Sequence, residues 1–435
     1  MTDATPTLNS PAAPKPPDGR AWYVLGALCF VYVLNFLDRQ LLSILAKPIQ
    51  DDLGVTDGQL GLISGLYFAL FYCTISIPVA WLADRANRVK VLSIACALWS
   101  AATVACGMAS TYPQLVMARM AVGVGEAGGV PPSYAIITDY FAPGRRGTAL
   151  GLFNLGPPLG QALGVAFGAS IAAAYSWRSA FVVLGVVGVV AAVIVWLTIK
   201  EPKRGGLDLP APDAAPAAVE AKAGFGETVL MFFRRKDLLL LSLACGATQF
   251  VTYAVMNFTV LFLMREKGMA LGEVALYYAL LIGIGVSLGM YASGRLIDRF
   301  GARSKRAYAV IPAVGLVCAM PFFAGFVWAP GWELALLFLI GPTFFNYFYL
   351  SPAVALVQEA VRPNQRVMSG ALLLLVMNLI GLGFGPTYLG LASDYFRATN
   401  PDNSLQLAFY TLIPFYLIAI ALFMVLARVL KNGGR

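Results

Sequence analysis

Ala80-Trp81-Leu82-Ala83-Asp84-Arg85-Ala86-Asn87-Arg88 closes one long apolar run, and Gly294-Arg295-Leu296-Ile297-Asp298-Arg299-Phe300-Gly301-Ala302-Arg303 closes another in the second half of the chain. Both set an Asp-Arg pair at the end of an apolar segment, with more base just after it. Basic loops beside a membrane explain the arginines by themselves. They do not explain an acid matched in kind and in place in both copies. A repeat of this sort reads as two related units in one chain.

The rest of the sequence agrees. Of its 435 residues 59% are hydrophobic and 12% charged, outside the range of soluble globular domains. Apolar spans lie near 21–46, 59–83, 89–109, 112–140, 147–174 and 178–199, and again near 238–264, 272–297, 305–328, 332–359, 366–394 and 405–430. Each is near or above the roughly 20 residues that cross a bilayer. The expected fold is therefore an all-α polytopic membrane protein, with twelve transmembrane helices in two pseudo-symmetric six-helix halves, 21–199 and 238–430. Residues 1–20 are polar and Pro/Ala-rich and are expected to be disordered. The first apolar run is too long for a signal-peptide core of about 7–15 residues, so it reads as a retained anchor. A linker, 200–237, joins the halves, and 431–435 form a short tail. Residues 208–223 of the linker are expected to be disordered. Residues 227–237 set Val229, Leu230, Phe232 and Phe233 beside Arg234, Arg235 and Lys236. That pattern suits a short helix on an anionic membrane face and equally a plain run-in to span 7.

Charge gives the orientation. If both chain ends face the cytoplasm, only Lys47, Arg178, Arg265, Lys267 and Arg397 of the 31 Lys and Arg fall in outer loops, and only Arg39 and Arg119 within the membrane. This bias predicts both termini inside, and the net charge of +9 then reflects cytoplasmic loops rather than a nucleic-acid partner. The absence of histidine excludes histidine proton relays and histidine metal sites. The six cysteines lie in or beside apolar spans without CxxC spacing and read as buried apolar residues. No cofactor is expected, and no G-x-x-x-x-G-K-[ST] phosphate loop is present.

Two spans carry charges where hydrocarbon should be. Span 1 holds Leu34-Asn35-Phe36-Leu37-Asp38-Arg39, and span 4 holds Arg119-Met120-Ala121-Val122-Gly123-Val124-Gly125-Glu126. A charge at the centre of a span costs about 2.5–3.5 kcal/mol on insertion scales, so it faces protein or a wet cavity. Arg119 and Glu126 are seven residues apart and share a helix face, about 10.5 Å apart along the axis. Counted from the outer end, Asp38 and Arg39 lie about 10–12 Å deep, Arg119 about 9–10 Å and Glu126 about 20 Å. Two acids and two bases thus meet at compatible depths. They read either as a structural quartet fixing span 1 to span 4 or as a functional site. In the functional reading Asp38 and Glu126 are candidate proton carriers, and Arg39 and Arg119 hold an anionic group. The four then titrate as one unit.

The paired loops resemble the signature of the major facilitator superfamily, near G-x-L-x-D-R-x-G-R-R/K, with Ala80 and Asn87 where glycines are usual. Asn35-Phe36-Leu37-Asp38-Arg39, Ala83-Asp84-Arg85-Ala86-Asn87-Arg88 and the Arg119-to-Glu126 stretch resemble its spinster branch, as do Trp177-Arg178 and Glu201-Pro202. The likeness is concentrated in the first half. It implies alternating access by rocking of the halves and a lysolipid or sphingosine-phosphate-like substrate, with proton coupling. Asp84, Arg85, Arg88, Asp298 and Arg299 are then candidate gating residues, with Asp139 as a partner for Arg85 or Arg88. Exposed pairs are worth only about 0–1 kcal/mol, so such a latch biases a rocking equilibrium without locking it.

The Gly/Pro-rich stretch 151–164 resembles the glycine/proline motif of superfamily antiporters and equally reads as ordinary helix-packing glycine; 381–390 is likewise rich in Gly and Pro, which permit close packing and hinging. In the second half the inner spans carry uncharged polar and aromatic groups, of which Tyr253, Asn257, Asn346 and Tyr347 are candidate substrate contacts. A charged wall facing an aromatic one suits an amphiphile with its anionic head at Arg39 and Arg119. The full expectation is a monomeric secondary transporter of the inner (plasma) membrane, not an enzyme, with protons, membrane lipids and an amphiphilic anion as its partners. An organic-anion or sugar-acid symporter of the same superfamily and a gradient-independent lipid scramblase are the alternatives.

Overall fold

The computed structural model describes residues 19–204, 225–301, 303–362 and 365–431, and in them the chain is all helical. Residues 1–18, most of the expected disordered linker and the tail beyond Lys431 lie outside the described residues. Twelve spans are present among the described residues. The first six are Gly19–Ile44, Asp57–Ser64 with Leu66–Arg85, Arg88–Met108, Tyr112–Glu126 with Val130–Tyr140, Pro143–Phe153 with Gly156–Ala174, and Trp177–Thr198. The second six are Lys236–Arg265, Leu271–Gly301, Ala307–Trp328, Trp332–Ala360, Arg366–Asn378 running through a π-turn into Gly385–Arg397, and Ser404–Tyr410 with Ile413–Lys431. By continuous length and hydropathy, 10 of them qualify as membrane-crossing. Spans 4 and 5 do not: span 4 breaks after Glu126 and carries Arg119, Glu126 and Asp139, and the 19-residue helix of span 5 opens on Gly156-Pro157-Pro158 and holds Gln161.

The interruptions have local causes. In span 4, Pro131 and Pro132 follow Gly128-Gly129, and a proline inside a helix removes one hydrogen bond and clashes with the turn before it. Span 2 bends at Gly65 (φ −105°, ψ −99°). A Cβ there would stand 2.6 Å from the Gly383 carbonyl of span 11, so the bend is where the two backbones nearly touch. The loop after span 1 contains a helix that the apolar pattern did not announce, Ala46–Leu53, ended by Gly54 at φ +65°.

Packing repeats with a shift of six spans. Span 1 packs on 5 and 7 on 11; span 3 packs on 4 and 6, and 9 on 10 and 12; span 2 packs on 4 and 8 on 10. Across the halves, 2 meets 11 while 5 meets 8. The Asp-Arg repeat read from the sequence is therefore one trace of a repeat in the whole helix arrangement.

The glycines of span 5 lie on span 1. A Cβ on Gly160 would stand 2.5 Å from the Val33 carbonyl, one on Gly164 3.0 Å from that of Leu37, and one on Gly168 2.8 Å from Leu41. Small residues at this spacing let backbones approach and replace a hydrophobic drive that lipid does not supply. Gly160→Val is expected to lower thermal stability in detergent by about 1–3 kcal/mol through overpacking. Gly151→Ala, which has nothing within 4 Å of the added carbon, is expected to be neutral or slightly stabilising.

The short helix Phe225–Arg234 precedes span 7 and packs on spans 7 and 11. Phe232 is fully buried there, while Leu230 and Phe233 face outward.

Candidate functional site

Span 1 runs unbroken through Asp38 and Arg39, whereas the first helix of span 4 ends on Glu126. Gly123 and Gly125 bring span 4 against its neighbours: a Cβ on Gly123 would lie 2.9 Å from the Phe68 carbonyl, and one on Gly125 2.5 Å from the Trp99 nitrogen. Across the resulting gap Arg39 Nε donates to Glu126 Oε2 at 2.6 Å. Arg119 Nη1 donates to Asp38 Oδ2 at 3.4 Å. The structure thus brings all four residues together in two crossed pairs. Asp38, Arg119 and Glu126 are each at most 2% exposed, and the formal charges of the four cancel. Several polar atoms here have no hydrogen-bond partner among the described residues: Asp38 Oδ1, Glu126 Oε1, Arg119 Nε and both amide atoms of Asn35. Buried groups left unpaired each cost about 1–3 kcal/mol.

Rings surround the Arg39 guanidinium, with Phe36 at 5.0 Å, Phe68 at 5.3 Å and Tyr72 at 4.9 Å from its central carbon. Phe68 also lies 5.5 Å from that of Arg119, so one ring stands beside both cations. Each such contact is worth about 0.5–2 kcal/mol. Sequence reasoning missed this clamp. Phe68 and Tyr72 sit one helical turn apart on span 2, a spacing common to any buried face, and no charge marked it.

The opposite wall belongs to the second half. Tyr253, Met256 and Asn257 of span 7 and Leu382 of span 11 close a cavity against Phe36, Arg39, Gln40, Ser64, Phe68 and Arg119. Its enclosed volume is about 20 Å³, the scale of one water molecule rather than of an organic substrate. Tyr253 and Asn257 therefore do face the arginines, although the Asn257 amide donates to the Tyr253 carbonyl of its own helix at 2.9 Å. Tyr347 is half-buried and neighbours Tyr253 and Tyr278. Asn346 is placed differently. Its amide nitrogen donates to Tyr416 Oη at 2.9 Å and its oxygen accepts from that hydroxyl at 3.1 Å. It pins span 10 to span 12 inside the second half and is not among the residues lining this small cavity.

The chain-terminal end of the bundle holds the loop motifs. Arg88 donates to Asp139 Oδ2 at 2.6 Å and to Glu201 Oε1 at 2.7 Å. The second oxygen of Glu201 accepts from the Val89 nitrogen at 3.0 Å. Asn87 caps span 3 by accepting from the Lys90 nitrogen at 2.8 Å, which gives a reason for asparagine where the family pattern has glycine. Of the two partners considered for Asp139, Arg88 holds it; Arg85 instead stacks on Trp81 at 4.1 Å. The Asp84 side chain lies outside the described residues. Asp298 and Arg299 are exposed at the end of span 8. Arg88 and Asp139 belong to the first half and Glu201 to the start of the linker, so that network ties the linker to the first half.

At the far end Trp177 Nε1 donates to Asp52 Oδ2 at 3.0 Å, and Arg178 bonds the same oxygen. The Arg178 guanidinium holds the Asp52 carboxyl below its usual range. This end also carries bonds that join the halves. Ser43 Oγ donates to the Met256 carbonyl at 3.0 Å and to that of Asn257 at 2.8 Å. The hydroxyl of Thr387 in span 11 donates to the Gly61 carbonyl at 3.2 Å and accepts from the Leu66 nitrogen at 3.2 Å. Hydrogen bonds that cross between the halves at this end start from Gln40 and residues outward of it in the first half, and from Met256 to Arg265 in span 7 and Thr387 to Asp394 in span 11.

Residues 28–386 match the Major Facilitator Superfamily. The chain is 35% identical to an MFS-type efflux pump of Mycolicibacterium smegmatis, over 86% of this chain and 85% of that one. It is 27% identical to the hexuronate transporter of Bacillus subtilis, over 83% and 85%. Its fold superposes with a TM-score of 0.87 and 30% identity, covering 95% and 98% of the two chains, on a bacterial homologue of the human lysosomal transporter spinster, crystallised in an inward-facing, unoccupied conformation.

Proposed function

We propose, for a chain that belongs to the major facilitator superfamily and to its spinster-like transporters, a proton-coupled carrier of anionic amphiphiles working by alternating access. One observation carries the reading: buried Arg119 and half-buried Arg39 face a cavity between the halves, each already tied to a buried carboxylate. An anionic head entering that cavity competes with Glu126 for Arg39 and with Asp38 for Arg119. A carboxylate that loses its arginine in a site closed to water can stay only by taking a proton. When the head leaves, the arginine recovers its carboxylate and the proton departs. Substrate and proton are thereby linked through shared partners, without a relay between distant sites. Each charge moved through 100 mV is worth about 2.3 kcal/mol, enough for roughly fifty-fold accumulation.

Alternating access is supported by where the halves are joined. Hydrogen bonds join the halves at the end away from the chain termini, so this conformation is closed there; with both termini cytoplasmic in the plasma membrane, that is the outer end. The enclosed space beside Arg39 is too small for a substrate. Binding then requires the halves to part, as rocking about a midplane site does. Tyr253 and Tyr347 offer the second half's aromatic surface to a tail. A monomer suffices, since one chain supplies both walls.

A smaller organic anion is the second reading, favoured by the hexuronate transporter among the relatives. Uptake into reconstituted vesicles separates the two. With an imposed pH gradient, a lysophospholipid is expected to compete with labelled substrate at lower concentration than a sugar acid carrying the same charge. Equal competition by the tail-less anion defeats the amphiphile reading. Transport that ignores the gradient defeats proton coupling and favours a scramblase.

A further inference from the structure

A second charged cluster, at the closed end, joins the halves through bonds that none of the quartet residues shares. Asp57 opens span 2 and is fully buried. Its carboxylate accepts from Arg265 twice, Nη1 to Oδ1 at 2.9 Å and Nη2 to Oδ2 at 2.7 Å. It also accepts from the Ser393 hydroxyl at 2.6 Å and the Gln50 amide at 2.5 Å. Arg265 ends span 7 and Ser393 belongs to span 11, so two of the three partner residues come from the other half.

Asp394, next to Ser393, completes the exchange. Its Oδ1 accepts from the Asp57 nitrogen at 3.1 Å and its Oδ2 from the Gly58 nitrogen at 2.9 Å. The first N–H groups of a helix have no partner within it and are commonly satisfied by the residue just before it. Thr56 does that for the Gln59 nitrogen alone, at 3.2 Å. The other two donors are capped in trans, by an acid from the opposite half. The fit is close: a Cβ on Gly58 would stand 2.6 Å from Asp394 Oδ2.

We propose that Asp57, Arg265 and Asp394 form a lock that sets how readily this end opens. The claim rests on the alternating-access reading above and adds the residues that hold one of its states. These bonds are not permanent rivets, because the groups have water to turn to. Gln50 and Arg265 also line a polar vestibule of about 710 Å³ on this end, together with Lys47, Glu266, Arg397 and Asp402. When the halves separate, Arg265 and the first turn of span 2 can be solvated from that vestibule. The charge pair, the two caps and the Ser393 bond break together, which gives a cooperative switch rather than a gradual loosening.

The test is a reporter cysteine, Ser64→Cys, beside Arg39 in the cavity, labelled by an impermeant maleimide added from the closed-end side. The chain without the reporter supplies the background from its own cysteines. Asp394→Ala is expected to raise the labelling rate about ten-fold, the scale set by losing a helix cap. Asp57→Asn is expected to do at least as much. Asp394→Asn keeps an acceptor oxygen and should rise less, an order that general loosening of the fold would not produce. The double variant should fall well short of the product of the single effects, because the residues act as one unit. Rates unchanged in every variant, with a reporter that still responds to an imposed pH gradient, overturn the lock alone. A reporter silent in all variants and conditions overturns the lock and alternating access together.

Discussion

Glu126→Gln is expected to abolish pH-driven accumulation, reducing a roughly fifty-fold gradient per 100 mV to none, while exchange of substrate without a gradient persists. The amide has the shape of the acid and an oxygen that can still accept from Arg39 Nε, now at 2.6 Å from the carboxylate. What it lacks is charge and a proton to exchange. Arg39 keeps its three aromatic neighbours, so its position should hold and an anionic head should bind at least as well. The measurement is uptake in vesicles with and without a pH gradient, beside counterflow without one. If accumulation survives in Glu126→Gln but is lost in Asp38→Asn, the proton rides on Asp38. If both variants accumulate substrate as the wild type does, the quartet is not the coupling site.

Much of this was legible in the chain because depth along a helix can be counted. At 1.5 Å per residue, the positions of Asp38, Arg39, Arg119 and Glu126 along their spans follow from the sequence alone, and only partners at matching depth can relieve a buried charge. Which acid meets which base could not be counted. That choice depends on rotation about each axis, and here it crosses, Arg39 to Glu126 and Arg119 to Asp38. Asn346 illustrates the same limit, since a polar residue on an inner span can turn toward the cavity or toward Tyr416. Asp57 was hidden for another reason. It stands in a polar stretch between apolar runs, where an acid ordinarily meets water, and its burial depends on Arg265 and Asp394 from a half that the local pattern says nothing about. The π-turn in span 11, Leu379–Phe384, precedes the helix that carries Asp394; Gly381, Gly383 and Gly385-Pro386 mark the stretch in the sequence but not the geometry of the turn.

Arg119 and Asp38 should show the largest effect on stability. Asp38 is 1% and Arg119 2% exposed, and Asp38 Oδ1 already lacks a partner among the described residues. Removing one member of a buried pair costs about 3–5 kcal/mol, chiefly because the other charge is left behind. Arg119→Met is therefore expected to lower the unfolding free energy in detergent by that amount, read from thermal or denaturant unfolding. Adding Asp38→Asn removes the stranded charge and should recover most of the loss, since replacing both members of such a pair is often close to neutral. Transport distinguishes what stability cannot. If the pair only fixes span 1 to span 4, the stable double variant carries substrate normally. If Arg119 holds the anionic head, the double variant is folded and inert, and raising the substrate concentration restores little. A double variant no more stable than Arg119→Met would mean that Asp38 does not depend on Arg119 for its charge, and that the 3.4 Å contact is a meeting of neighbours rather than a pair.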